Sequence, residues 1–180
     1  ARVTDRAPLS AVYEFETDGY FRTIYVYMPM VLETIARTWG RERLLRALGS
    51  YAREQRFAHP GPSALRAAFR EEYGAWFVRS VLDPALSRGC PARTELGPVE
   101  NVCDAAGCRN QLVARRQGCL PIPLEGVIET DAGATVHRWP GNQRELRLPV
   151  DFATLRQVQV DPSRHNLTDF RRRDDLRHFG

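Results

Sequence analysis

The sequence predicts an α+β chain, with a small helical bundle over residues 25–86 and an antiparallel β-sandwich over 98–162. Three observations predict it. From Tyr25 to Leu86 the apolar residues recur with a helical period. Beyond residue 98 the period falls to two. Between them "DPALSRGCPARTELGP", 83–98, is rich in turn formers, and 87–97 reads as a linker. Helices grouped first and strands grouped second is the pattern of an α+β fold rather than an alternating α/β one.

Residues 1–24 carry few periodic signals and read as an irregular lead-in, with "ETDGYF" at 16–21 as a turn. The first helix opens at Tyr25. Leu32, Ile35, Ala36 and Trp39 fall at i, i+3, i+4 and i+7 and mark its inner face. Pro29 fits in the first turn, where its missing N–H has no partner to lose. Gly40 ends the helix. A second helix runs from Arg41 to Gln55, with Leu44, Leu48, Tyr51 and Ala52 inward. "HPGPS" breaks the chain and Ser63 is placed to cap a third helix, whose inner residues are Leu65, Ala68, Phe69 and Tyr73. "AWFVRSVLD", 75–83, makes a short fourth one. Links this short favour antiparallel neighbours.

In the second half "NQLVARRQ", "IPLEGVIETDAG", "ATVHRW", "RELRLPV" and "LRQVQVDP" read as strands. Leu146, Leu148 and Val150 alternate with other positions, as do Val158 and Val160, and "DAG" and "PGN" supply turns. Residues 163–180, with "DFRRRDDLRHFG", read as a loosely ordered charged tail.

Composition sets outer limits. An apolar content of 43% is ample for a core, and the net charge is only +4. All 26 basic residues are arginine, which points to codon usage before phosphate recognition. No run approaches the roughly 18 apolar residues of a membrane span. The opening "ARVTDRAPLS" is too polar for a signal peptide, and a first residue other than Met is expected of an excised or processed piece.

Self-sufficient catalytic motifs are missing from the sequence. His59, His137, His165 and His178 have no histidine partner at i+4, and neither H-E-x-x-H, a Gly-rich phosphate loop nor G-x-S-x-G occurs. The histidines are expected to be surface or capping residues, and no metal is expected in this chain. Cys90, Cys103, Cys108 and Cys119 are separated by 13, 5 and 11 residues, without the C-x-x-C pairs of structural zinc. Two disulfides are the favoured reading, with zinc or free thiols as the alternatives. "VCDAAGCR" could set Cys103 opposite Cys108 across a hairpin. Disulfides would place the chain outside the cytosol. The arginines of "VARRQG" and "FRRRDD" are read as a solvated face rather than a nucleic-acid site, because aspartates adjoin and aromatics are few.

One segment carries a resemblance. "IYVYMPMVLETIARTWGRERLLRALGSYAREQRFAHPGPSALRAAF" resembles the gluzincin zinc aminopeptidases of the aminopeptidase N type, also called membrane alanyl aminopeptidases. In that family a tyrosine opens a helix that ends in glycine about four turns on, followed by a Leu/Tyr/Phe segment and a Ser- or Thr-capped helix. Tyr25, Leu32, Gly40, Leu44, Leu48, Tyr51, Phe57, Ser63, Leu65 and Phe69 occur here in that order. "AWFVRSVLDPAL" looks like the next family helix, and "VARRQGCLPIP" through "LRQVQVDP" is similar to the β-sandwich behind the catalytic domain. The likeness spans residues 20 to 170. It departs from the family at Tyr27-Met28, where Lys-Gly is usual, and the family's zinc ligands lie upstream of the tyrosine.

The resemblance implies a C-terminal fragment of a zinc-dependent aminopeptidase, inactive as an isolated chain. Zinc and a peptide substrate would belong to the full-length parent, whose membrane association is a further expectation; no nucleic-acid partner is expected. Tyr25 is implied to be the phenol that donates a hydrogen bond to the oxyanion formed during peptide hydrolysis. The alternative is a non-catalytic scaffold or partner-docking region in a degenerate relative. From the residues alone, the favoured reading of Tyr25 and Tyr27 is amphipathic plugs at a helix end, and only the family order brings the two readings level.

Overall fold

A computed structural model describes residues 6–104, 107–151, 153–171 and 175–179. The chain divides into two compact units, Ala1–Pro91 and Ala92–Gly180.

In the first unit, α1 (Thr17–Phe21) continues through a π-helical segment, Arg22–Tyr27, into α2 (Met28–Trp39). The buried residues explain this. Gly19, Thr23, Tyr27 and Val31 lie four apart each time. That period exceeds the 3.6 of an α-helix, so an ideal helix would rotate them steadily off the core; the wider π turns hold them on it. The Met28 N–H accordingly bonds the Thr23 carbonyl, five residues back. The expected turn at 16–21 is thus mostly helix, and Pro29 sits inside a continuous helical run rather than opening one.

A second π-helical segment, Val78–Leu82, joins α5 (Ala75–Phe77) to α6 (Asp83–Arg88), where Asp83 N–H bonds the Val78 carbonyl. Pro84 stands two residues beyond it, as Pro29 stands two beyond the first. A proline inside a helix drives its ring against the carbonyl one turn back, and opening the helix just ahead of it relieves that clash. The fourth helical stretch therefore runs on to Arg88, into residues expected to be turn and linker.

Between these lie α3 (Arg41–Glu54) and α4 (Pro62–Tyr73). Gly40 and Gly74, with φ of 102° and 85°, reverse the chain where other residues would be strained. α4 starts earlier than its expected Ser63 cap: Gly61 is the N-cap and Pro62 the first helical residue. The core gathers Tyr27, Ile35, Leu44, Phe69, Phe77 and Leu82. Tyr73 and Phe77 stack at 4.3 Å, and Trp39 meets Phe77 edge-on at 5.0 Å.

The second unit contains two antiparallel sheets. One has the order β1 (Thr94–Asp104), β2 (Gly107–Arg116), β5 (Glu145–Val150). The other has the order β4 (Gly133–Trp139), β3 (Leu124–Thr130), β6 (Leu155–Val160), β7 (Leu176–His178). Alternation puts Leu112, Ala114 and Leu148 on the inner face of the first, and Leu124, Ile128, Val158 and Val160 on that of the second. Gly126 faces the Leu148 side chain, where a Cβ would stand at 3.6 Å, an ordinary van der Waals contact. Burying one such leucine or valine stabilises the fold by about 1.5–3 kcal/mol.

Two sequence expectations change in this unit. β1 begins at Thr94, inside the expected linker, and the β1–β2 register shifts between Leu96 and Val99, around the Gly97-Pro98 pair. The tail beyond 163 is not loose over its first part. Asn166, Thr168 and Asp169 are buried because they satisfy backbone groups of residues 92–94. Ala92 N–H donates to Thr168 Oγ1 at 2.9 Å, Thr94 N–H donates to Asp169 Oδ2 at 2.8 Å, and Asn166 Nδ2 donates to the Ala92 carbonyl at 2.7 Å.

Candidate functional site

Tyr25 and Tyr27 are two residues apart in the π-helical segment and point to different surroundings. Tyr27 continues the four-residue buried row and is 0% exposed. Its hydroxyl donates to the Cys90 carbonyl at 2.7 Å, with the Ala85 carbonyl at 3.4 Å. Burial raises its pKa well above the usual tyrosine range, because the phenolate would be desolvated. Tyr27 is a packing residue whose hydroxyl ties α2 to the end of α6 and the residues after it.

Tyr25 is 61% exposed. Its ring stacks on Phe21, one turn earlier, at 5.5 Å and 25°, and meets Tyr20 edge-on at 6.1 Å. Phe15 extends the row, 5.7 Å from Tyr20. The ring is therefore held by aromatic neighbours on its own helix and by Tyr20 (itself against Phe15). A phenol in this position can donate one O–H hydrogen bond without carrying charge. The spacing rules used on the sequence separate these two tyrosines only once the π segment is known.

The remaining sequence candidates are dispersed. His59 and His178 are exposed, His137 is half-buried on β4, and His165 lies 3.7 Å from Asp161. Among the described residues no three His, Cys, Asp or Glu side chains converge as metal ligands would. Cys90, Cys103 and Cys119 are each disulfide-bonded. The backbone of Cys103 pairs directly with that of Cys108 in the β1–β2 register. No described cysteine is free.

The arginines of "VARRQG" split. Arg115 is ion-paired with Glu100 at 3.2 Å and Glu145 at 3.1 Å, on the outer face of the first sheet. Arg116, expected to be solvated, is instead sequestered: it donates to the Gly141 and Ile122 carbonyls and lies over the Trp139 ring at 5.1 Å. Burial pushes its pKa down to about 10. Of the second cluster, residues 172–174 lie outside the described residues.

One cleft of about 200 Å³ opens between α3 and α4, lined by Arg46, Ser50, Arg53, Glu71 and Glu72 among others. Glu72 accepts from both Arg46 and Arg43, and the hydrogen bond from Arg46 is the largest of the effects that hold its carboxyl below the usual range. The cleft's central carboxylate is thus already paired within the protein.

No protein-family model matches the chain, and no curated protein matches it. Nineteen chains of solved structures match. One is the crystal structure of Legionella pneumophila aminopeptidase A in complex with aspartic acid, at 14% identity and a TM-score of 0.47. The match covers 83% of this chain and 18% of that one, so this chain spans about a fifth of that protein's length. A likeness at that identity and TM-score carries no functional argument.

Proposed function

We propose that this chain is the C-terminal part of an aminopeptidase-type catalytic module, and that Tyr25 supplies its phenolic hydrogen bond to the oxyanion of a peptide being hydrolysed. The observation that carries the reading is the contrast between the two tyrosines: the one that the family order marks is exposed, and its neighbour is fully buried. The order of residues from Tyr25 to Phe69, followed by an antiparallel sandwich, supports the same reading.

In this reading zinc is held by residues upstream of Tyr25 in the full-length protein. When bound it would supply the Lewis acidity that polarises the peptide carbonyl. What this chain does is hold a neutral donor in place: the π segment turns Tyr25 outward, and Phe21 and Tyr20 restrict its ring. The disulfide-bonded state of Cys90, Cys103 and Cys119 supports an extracytoplasmic location. Among the described residues no helix is long and apolar enough to cross a membrane.

The test is Tyr25→Phe in the full-length protein. Turnover falls by roughly two to three orders of magnitude, the usual loss of one oxyanion donor, while KM moves much less. Full activity in that variant overturns the assignment. An upstream sequence without H-E-x-x-H favours the scaffold reading.

A further inference from the structure

Among the described residues the two sheets have four edge strands, and three of them carry features that discourage pairing with another strand. β1 has Gly97-Pro98 and a register shift, β5 has Pro149, and β7 is three residues long. β4, "GATVHRW", has no proline, no lysine and no carboxylate, and it pairs with β3 without a break over all seven residues. Gly133 to Val136 and Arg138 are all exposed.

The direction of its backbone groups follows from the next strand in. The Glu125 carbonyl accepts from Asp161 N–H, toward β6. Odd-numbered residues of β3 therefore bond toward β6 and even-numbered ones toward β4. Gly126 and Ile128 pair with His137 and Thr135, so those β4 residues spend their backbone groups on β3. Ala134, Val136 and Arg138 aim their N–H and C=O groups outward, at the free edge.

We propose that this edge is an interface in which β4 pairs antiparallel with β4 of a second copy of the chain, about a two-fold axis at Val136. The strand is built for that partner. Val136 is its midpoint and is 57% exposed. Self-pairing there sets Val136 against Val136 and Ala134 against Arg138, so no like charges face each other. The three outward residues of each copy then exchange about six backbone hydrogen bonds, two in each of three pairs. Arg138, 3.7 Å from Glu125 and almost wholly in solvent, would extend across the small Ala134 of the second copy. Beyond Ala134, its register partner Glu129 is exposed on β3. Charge thus complements across the axis.

Sedimentation velocity of the full chain over a range of concentrations tests this, with amide exchange at each. A monomer–dimer equilibrium is expected, in which the Ala134, Val136 and Arg138 amides gain protection as dimer forms. Val136→Pro removes an outward N–H and leaves the β3–β4 ladder untouched, and Val136→Lys sets like charges opposite each other. Each weakens the dimer at least about tenfold. Near-UV dichroism and tryptophan fluorescence report whether the variants stay folded, and protection of the three wild-type amides needs no variant. A monomer at all concentrations, a dimer indifferent to both substitutions, or assembly beyond the dimer overturns the proposal.

Discussion

Replacing tyrosine by phenylalanine should have opposite consequences at two positions of the helical unit whose hydroxyls are buried. At Tyr27 the hydroxyl is out of water and donates to the Cys90 carbonyl at 2.7 Å. Tyr27→Phe leaves the ring in place and takes that donor from a buried acceptor, which costs about 1–3 kcal/mol. For a unit of this size each kcal/mol moves the midpoint by roughly 4–8 °C, so a loss of about 2 kcal/mol lowers Tm by roughly 8–16 °C. At Tyr73 the hydroxyl is also buried, but it has no hydrogen-bond partner among the described residues. Burial pushes that pKa up to about 12, with the Arg43 guanidinium opposing the rise. Tyr73→Phe removes a desolvated group and keeps the stack with Phe77, so stability holds or rises by up to about 1 kcal/mol. Urea denaturation followed by far-UV dichroism, which reads the helices, measures both. Equal losses in the two variants, or a larger loss at Tyr73, would refute the hydrogen-bond argument.

Alkaline pH gives an independent readout of Tyr27. Its folded pKa lies above the ordinary 10.0, so above that pH the unfolded chain releases a proton that the native state retains. The stabilisation is complete below about pH 10 and is lost as pH rises further, by at most about 1.4 kcal/mol per unit; Tyr27→Phe should flatten that slope. Reducing the disulfides that hold Cys90, Cys103 and Cys119 should lower stability by about 2–5 kcal/mol for each bridge lost, read in denaturant titrations with and without reductant. Thiol titration of unreduced, denatured protein should find no free cysteine, and a reactive thiol would contradict the disulfide assignment.

Where the sequence was legible, the period of burial matched a regular element. β2, β3, β5 and β6 lie where alternation put them, and α3 and α4 carry Leu44, Ala68 and Phe69 inward as expected. The failures have separate physical causes. The row Gly19, Thr23, Tyr27, Val31 has a period that belongs to neither template, so residues 16–21 looked like a turn and Leu32 and Trp39 were given a face that Val31, Thr34 and Ile35 occupy. β1 was hidden by Gly97-Pro98, which spells turn locally and makes a register shift in the sheet. Asn166, Thr168 and Asp169 looked like solvent-facing polar residues because their partners are backbone groups some seventy-five residues away. Nothing in a local window announces such a bond. At the candidate site, Tyr25 could be singled out by family order, but its exposure and the burial of Tyr27 could not.

The π segment at Arg22–Tyr27 has a consequence for how change can enter this chain. One π turn amounts to a single residue accommodated within an α-helix. Deleting one residue from that stretch would restore an ordinary helix and leave everything before it on its present heading relative to α2, because the residue lost and the tighter winding regained each amount to about 100° in opposite senses. Only residues inside the stretch would turn, Tyr25 among them, without any of them being replaced. The outward aim of the exposed phenol is thus inherited as a residue count, and substitution and deletion would disturb it by different routes.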